Sequence, residues 1–406
     1  MKILCALSHY AYGNPERGEN YDYVNFLPAF RGLGHEVDFF DTGDRTRYQD
    51  FADLNSALLA RVIEFRPDVM FTVLMHYEIW FETLDLIRSN SPVLIVNWGT
   101  DDSWKFDQAS RFFAEHVDLH VTTDFVAADK ARVLGLSNVF LSQWAGSAEN
   151  IAAPCPSREC RYDVSFVGSM YGDRAEWIAA LRASSIAVSC FGHGSENGVV
   201  DATEIPMILR ASRISLNFSG PGKTKLALGA RDRRQIKART FEVPSAGGFL
   251  LTEAAPGLDR HFAIDQEIAT FGTKQDLIEK TRYFLKHPEI RDQIAMAGHQ
   301  RAAAEHTYFN RFSLILVQLQ SIGSGRTTRS WTLSTDALAD SVNRYQNHVL
   351  ACWIRTALVS VFKLIFGKVR GPRAARRMMY ELSWRFAGAT TYCAKGLPGR
   401  LFYAES

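Results

Sequence analysis

The stretch QIKARTFEVPSAGGFLLTEAAPG, Gln235 to Gly257, sets two basic residues and a glutamate among residues that otherwise read as core. Lys237 and Arg239 stand two apart and Glu242 follows three later, at the mouth of a helix that leads through Gly247 and Gly248 into an apolar, strand-like run. Two cations at this spacing can neutralise a diphosphate, and a carboxylate at hydrogen-bond range can accept from both hydroxyls of a ribose. A carboxylate set among core residues costs on the order of several kcal/mol unless something pairs with it. Glu242 is therefore either satisfied internally, by Arg239 or Arg234, or completed by a ligand, and the residues alone leave both open. The Gly pair lets backbone approach closely, again to a ligand or to a neighbouring strand.

Two turns upstream carry the same kind of chemistry. In YDVSFVGSMYGDR a strand ends at Gly168 and Arg174 falls near the start of the next helix, a pairing that favours phosphate. SCFGHG repeats the device with Gly192 and His193. Most strand–Gly–helix turns are only turns, so each is informative mainly in company. NFSGPGKTK is not a phosphate loop of the Walker type, because the position five before Gly222 holds Asn217 where glycine is required.

The elements that must position these groups alternate. KILCAL, HEVDFFD, PDVMFTVL, PVLIVNW, VDLHVTT and NVFLSQW read as strands, separated by helical stretches such as FADLNSALLARVIEF. Strands apolar on both faces and alternating with helices predict a parallel sheet covered on both sides. Residues 1–150 form one such α/β domain in this reading. Residues 151–161, small, polar and proline-containing, are an interdomain linker. Residues 162–312 form a second Rossmann-like domain, and 313–406 a helical, basic extension. Two halves of this kind bind ligands in a cleft outside the strand C-terminal edges.

From Tyr162 to Phe312 the sequence resembles the donor-binding domain of GT-B glycosyltransferases, and is most similar to their spore-maturation CgeB-like branch. The resemblance rests on R-x-F-E-x-x-x-x-G-x-F-L-L-T at Arg239 to Thr252 and on AGHQRAAAEHTYFNRF. It is joined by YDVSFVGS, SRISLNF and IDQEIATF. It implies a transferase that moves a sugar from a nucleotide-diphosphate donor to a glycan, lipid or protein acceptor, with no bound cofactor or metal. It gives Glu242 the ribose. Two departures follow: Ser169 stands where related enzymes carry arginine, with Arg174 at their lysine position, and Arg234 stands where retaining relatives carry a glutamate. Donor phosphates then rest on Arg174, Lys237 and Arg239. The alternative is a catalytically silent sugar-nucleotide or glycan-binding relative. A nicotinamide-dependent enzyme is disfavoured, since G-x-G-x-x-G is absent after the first strand.

The first half is expected to serve the acceptor through three loops, SHYAYGN, LMHYEIW and NWGTDDSW. A base needs a carboxylate or histidine within reach of the acceptor hydroxyl; Asp101 and His76 are the candidates, a solvated acid or a helix cap being the plainer reading of each. Asp102 resembles part of the family's loop, Trp98 and Trp104 offer stacking faces, and His9 and Gly13 line the cleft.

Of 406 residues, 47% are hydrophobic and the net charge is +2. From Arg326 onward thirteen Lys/Arg oppose four Asp/Glu, a surplus of nine that leaves the rest of the chain at −7. Such a tail predicts its own anionic partner. His348 to Gly367 is apolar but interrupted by Arg355 and Lys363, and on a continuous helix His348, Arg355, Lys363 and Arg370 share a stripe. That pattern fits a helix lying at an anionic membrane surface, or one packed on the body; no nucleic-acid module accompanies it. Six cysteines lack zinc spacing, and MKILCALSHY reads as a strand rather than an export signal, so a cytoplasmic setting is expected.

Overall fold

Among the described residues, short apolar runs bounded by Gly, Pro and Asp become eleven parallel strands, six in one sheet and five in another. The computed structural model describes residues 1–74, 76–220, 234–324, 330–345 and 349–406. It divides into two compact units, Met1–Ser142 with Ile315–Ser406, and Gln143–Leu314.

In the first unit β1 (Lys2–Leu7), β2 (Glu36–Asp41), β3 (Val69–Thr72), β4 (Leu94–Gly99), β5 (Leu119–Thr122) and β6 (Val139–Leu141) lie in the order β2-β1-β3-β4-β5-β6. The strand order reverses between β1 and β3, so the loops after these two strands flank the switch point where open α/β sheets place ligands. The central strands are buried on both faces, as helix-covered parallel strands must be. Within β3, Thr72 Oγ1 donates to the Val96 carbonyl at 2.9 Å. Asp50 and Asp124 cap their helices by accepting from the amides of Asp53 and Ala127.

The second unit carries β7 (Tyr162–Val167), β8 (Ser189–Phe191), β9 (Ser212–Asn217), β10 (Leu250–Glu253) and β11 (Ala269–Phe271) in the order β11-β10-β9-β7-β8, reversing between β7 and β9. Residues 151–161, expected as a linker, are built into this unit. Arg291, wholly buried, donates to the carbonyls of Cys155, Ser212 and Arg213 at 2.7–2.9 Å. Ser157 N reaches Asp292, and Ala152 N reaches the Ser245 carbonyl. Backbone groups held this way do not form a free tether.

The segment after residue 312 is helical, as its composition indicates, but it joins the first unit. Leu338, Tyr380, Tyr392 and Ala394 share a core with Phe51, Tyr77, Phe81 and Phe113, and Tyr380 and Tyr392 join their hydroxyls at 2.9 Å. The helical run Val349–Ala387 is broken at Gly367, which sits at φ 79°. The chain folds back there, so that a Cβ on Gly371 would lie 2.6 Å from the Lys363 backbone. This corrects the stripe expected on one continuous helix: Arg370 belongs to the returning arm, Arg355 is paired with Glu405, and His348 lies outside the described residues.

Candidate functional site

The reactive groups of the second unit gather at the C-terminal ends of β7, β8, β9 and β10. The loops after β7 and β8 run together, Gly168 N donating to the Phe191 carbonyl and Met170 N to that of His193, each at 2.8 Å. Gly192 has φ 121°, and a Cβ there would stand 2.5 Å from the Gly168 carbonyl oxygen. That close approach explains both glycines; the His193 ring itself is exposed, and its carbonyl is what the loop uses.

Arg174 opens the helix Arg174–Ala183 but is only 7% exposed. Its guanidinium donates to the Ser169 carbonyl at 2.9 Å and the Tyr171 hydroxyl at 2.7 Å, and lies 3.8 Å over the Tyr171 ring. Nε, also buried, has no hydrogen-bond partner among the described residues. Burial pushes its pKa down and the Arg239 charge acts in the same direction, against Tyr171, Asp173 and Glu253. A cation stripped of water beside another cation is suited to an anionic ligand.

Across the switch point, Arg239 and Glu242 form an ion pair at 2.8 Å along one turn of the helix Arg239–Ser245. Of the two fates the sequence allowed Glu242, the internal pair is the one present. Both side chains stay 18% exposed, so solvent reaches the pair. Lys237 precedes the helix, partly buried, its carbonyl accepting from Thr240 N. Phe241 faces the other way, packed on His261, Phe262 and His306. His306 bonds the His261 carbonyl at 2.8 Å and the Arg311 guanidinium at 2.9 Å. Burial pushes both histidines down to about 4, so they are neutral structural groups. The H-T-Y…R motif thereby anchors the helix that carries Glu242.

Gly247 and Gly248 do not face a ligand. A Cβ on Gly247 would meet the Ala152 carbonyl at 2.4 Å, and one on Gly248 that of Leu209 at 2.7 Å, so both serve packing against neighbouring backbone. Glu253, a carboxylate the sequence reading passed over, is 3% exposed at the end of β10. It accepts from the amides of Ser219 and Gly220 and pairs with Arg234 at 2.8 Å. Arg234 is thus engaged in holding the β9 exit. The same cost argument applied to Glu242 would have found it: an acid closing the apolar run GGFLLTE.

In the first unit the expected acceptor residues separate. Trp98 is fully buried, its ring 5.2 Å from Phe26 and 6.4 Å from Phe71, and offers no stacking face. It lies within β4, whose side chains alternate between two covered sides. Trp104, 38% exposed, keeps an accessible ring. Asp102 is also interior. His120 Nε2 lies 3.0 Å and Ser110 Oγ 2.5 Å from its carboxylate, and Asn97 continues the network to His120. Burial opposes its ionisation, but His120 and the Ser110 and Thr122 hydroxyls hold it below the usual carboxylate range, as a structural anion.

His9 is stacked on Tyr10 at 4.0 Å, has the tilted ring of Tyr23 at 4.1 Å, and lies 3.2 Å from Glu19. Gly13, at φ 65°, allows its loop to touch Gly43, whose carbonyl would be 2.3 Å from a Cβ. His76 Nε2 lies 3.0 Å from Lys105 Nζ, with Tyr380 against its ring. Burial, then Lys105 and Arg376, hold its pKa well below the ordinary value. Neutral imidazole is the acceptor in that contact, which leaves His76 a poor base for a ligand. Lys105 is pushed down to about 8, chiefly by burial, with Glu78 and Asp101 opposing.

Asp101 remains half-buried after β4, and the structure adds a neighbour. Asp22, 5% exposed in the first turn of the helix Tyr21–Gly32, is raised to about 7 by burial and then by the Asp101 charge. The negative charge of Asp101 thus bears on a buried carboxyl and favours its protonated form. Nothing in NYDYVNF marks Asp22 by sequence, since its burial depends on loops distant in the chain.

Residues 173–317 match the model of a family described as glycosyl transferase-like. No curated protein matches the sequence. Among solved structures, sucrose-phosphate synthase from Thermosynechococcus elongatus is similar with a TM-score of 0.60 at 10% identity, over 80% of this chain and 100% of that one. A glycosyltransferase from Rickettsia africae gives 0.55 at 9%, over 80% and 99%. Anabaena HepE in complex with UDP-glucose gives 0.54 at 12%, over 79% and 100%. At these identities the likeness establishes the fold: two Rossmann-like parallel-sheet domains as in GT-B proteins, with a helical C-terminal region.

Proposed function

We propose that the protein is a glycosyltransferase that takes a sugar from a nucleoside diphosphate donor and passes it to a glycan, lipid-linked or protein acceptor. The observation that carries this reading is the arrangement at the β7/β9 switch point. There Arg174, dehydrated and with an unused Nε–H, sits in the field of Arg239, which holds Glu242. A diphosphate would engage Arg174, Lys237 and Arg239, and in drawing Arg239 toward itself would release Glu242 to accept from the ribose hydroxyls. In the transfer, the acceptor oxygen forms a bond to the anomeric carbon while the bond from that carbon to the diphosphate oxygen breaks. The bonding pair leaves on the diphosphate, where fixed cations stabilise the growing charge. The acceptor proton passes to a carboxylate, a role we assign to Asp101. That similar solved proteins include one captured with UDP-glucose supports the donor class. The finer placement in the CgeB-like branch rests on the Arg239–Thr252 motif.

The test is a thermal-shift and calorimetric screen against UDP-, GDP-, ADP- and dTDP-sugars, followed by assay of diphosphate release. One donor should bind, and Glu242→Ala should weaken it by about 1.5–3 kcal/mol, the range for hydrogen bonds to a charged group. Binding unchanged in that variant overturns the ribose assignment; binding without any turnover favours a silent sugar-nucleotide receptor.

A further inference from the structure

The chain reversal at Gly367 leaves KLIFGKVR, Lys363 to Arg370, exposed at every residue. Leu364 is 88% exposed and Val369 82%, with Ile365 and Phe366 also open. Large apolar side chains in such a run are expected to have a partner, because leaving them in water forfeits the burial that drives folding. The core gives them none: the hairpin's contact with the body is made by Val359, Ala375, Leu401 and Phe402, on its inner side. Further along the first arm Trp353, 71% exposed, extends the apolar surface.

Charge identifies the partner. Lys363, Lys368, Arg370 and Arg373 are exposed around the tip, and the sequence has no Asp or Glu between Asp340 and Glu381. A protein interface of this size would ordinarily set some acids among the bases; an uninterrupted cationic collar around bulky aliphatic residues matches an anionic lipid headgroup layer above acyl chains. The depth is limited as well. Among the described residues no helix is long and apolar enough to cross a membrane, and the cations Arg355 and Lys363 on the first arm and Arg370, Arg373, Arg376 and Arg377 on the second oppose a span. We infer that the Lys363–Arg370 tip inserts its aliphatic residues into the interfacial layer of an anionic bilayer, with Lys363, Lys368, Arg370 and Arg373 at the phosphates. This inference does not depend on the donor chemistry, so it stands or falls separately from transferase activity.

The experiment is flotation of the full chain with vesicles of phosphatidylcholine alone or containing about one third phosphatidylglycerol. The protein should float with the anionic vesicles and not with the neutral ones. K368E/R370E should lose affinity by at least about 25-fold, at roughly fivefold per cation removed. L364Q/F366Q should lose flotation while the charge is intact. All four positions are exposed, so both variants should keep the parent's melting curve, which confirms that folding is not the cause. Failure of the parent to float, equal flotation with neutral vesicles, or undiminished flotation of the L364Q/F366Q variant each overturns the proposal. So does concentration-dependent dimerisation abolished by L364Q/F366Q, which would assign the tip to a second copy of the chain.

Discussion

Replacing Asp22 by Asn should make the protein more stable, and by an amount that depends on pH. In the fold this carboxyl titrates at about 7 instead of 3.8, because burial and then Asp101 disfavour its charge. The folded protein therefore holds the proton more tightly than the unfolded chain. Its contribution is complete below the unfolded value and is lost as pH rises toward and through about 7. Each pH interval between those limits is worth about 1.4 kcal/mol, giving an upper figure near 4; allowing for relaxation around the charged form, roughly 2–4 kcal/mol is expected at pH 8. Asn cannot ionise, so the variant escapes this loss. Urea unfolding of parent and Asp22→Asn at half-unit steps from pH 4.5 to 8.5 measures it, with the first unit's midpoint rising by about 1 M at the alkaline end. The advantage should shrink steadily below pH 7. Parallel curves, with a constant gap at every pH, would show that Asp22 ionises normally.

Gly192→Ala should cost about 2–4 kcal/mol in unfolding experiments, since it adds a Cβ at φ 121° against the Gly168 carbonyl. Donor affinity should fall with it, because the displaced β7 loop supplies the Ser169 carbonyl that holds Arg174. Trp98→Ala should destabilise by about 3–5 kcal/mol through the cavity it leaves. Trp104→Ala, at the accessible ring, should shift stability by less than about 0.5 kcal/mol, both read by chemical denaturation.

How far the sequence carried the structure depends on whether a property is local. Strand and helix alternation is local, and it delivered two parallel sheets; so did the motif that set Arg239 and Glu242 on one turn. Gly247 and Gly248 were legible as sites of close approach, but which backbone approaches is a tertiary fact, settled by Ala152 and Leu209. Trp98 and Asp102 misled because a loop motif at the end of β4 reads the same whether its side chains turn outward or into the core. The helical stripe through Arg355, Lys363 and Arg370 assumed one axis, and a single glycine in a left-handed conformation replaced it with two.

Because Tyr380, Tyr392 and Phe402 pack into the unit that holds Met1–Ser142, that unit is assembled from two separate stretches of the chain with the other unit inserted between in sequence. During synthesis the inserted half can complete its own sheet while the earlier strands still lack part of their interior. They must wait, partly uncovered, until Tyr380 to Phe402 emerge from the ribosome. A nascent chain arrested near residue 340 would consequently hold a finished Gln143–Leu314 unit and an unsealed first unit. Proteolysis of such arrested chains should cut before residue 142 and spare Gln143–Leu314.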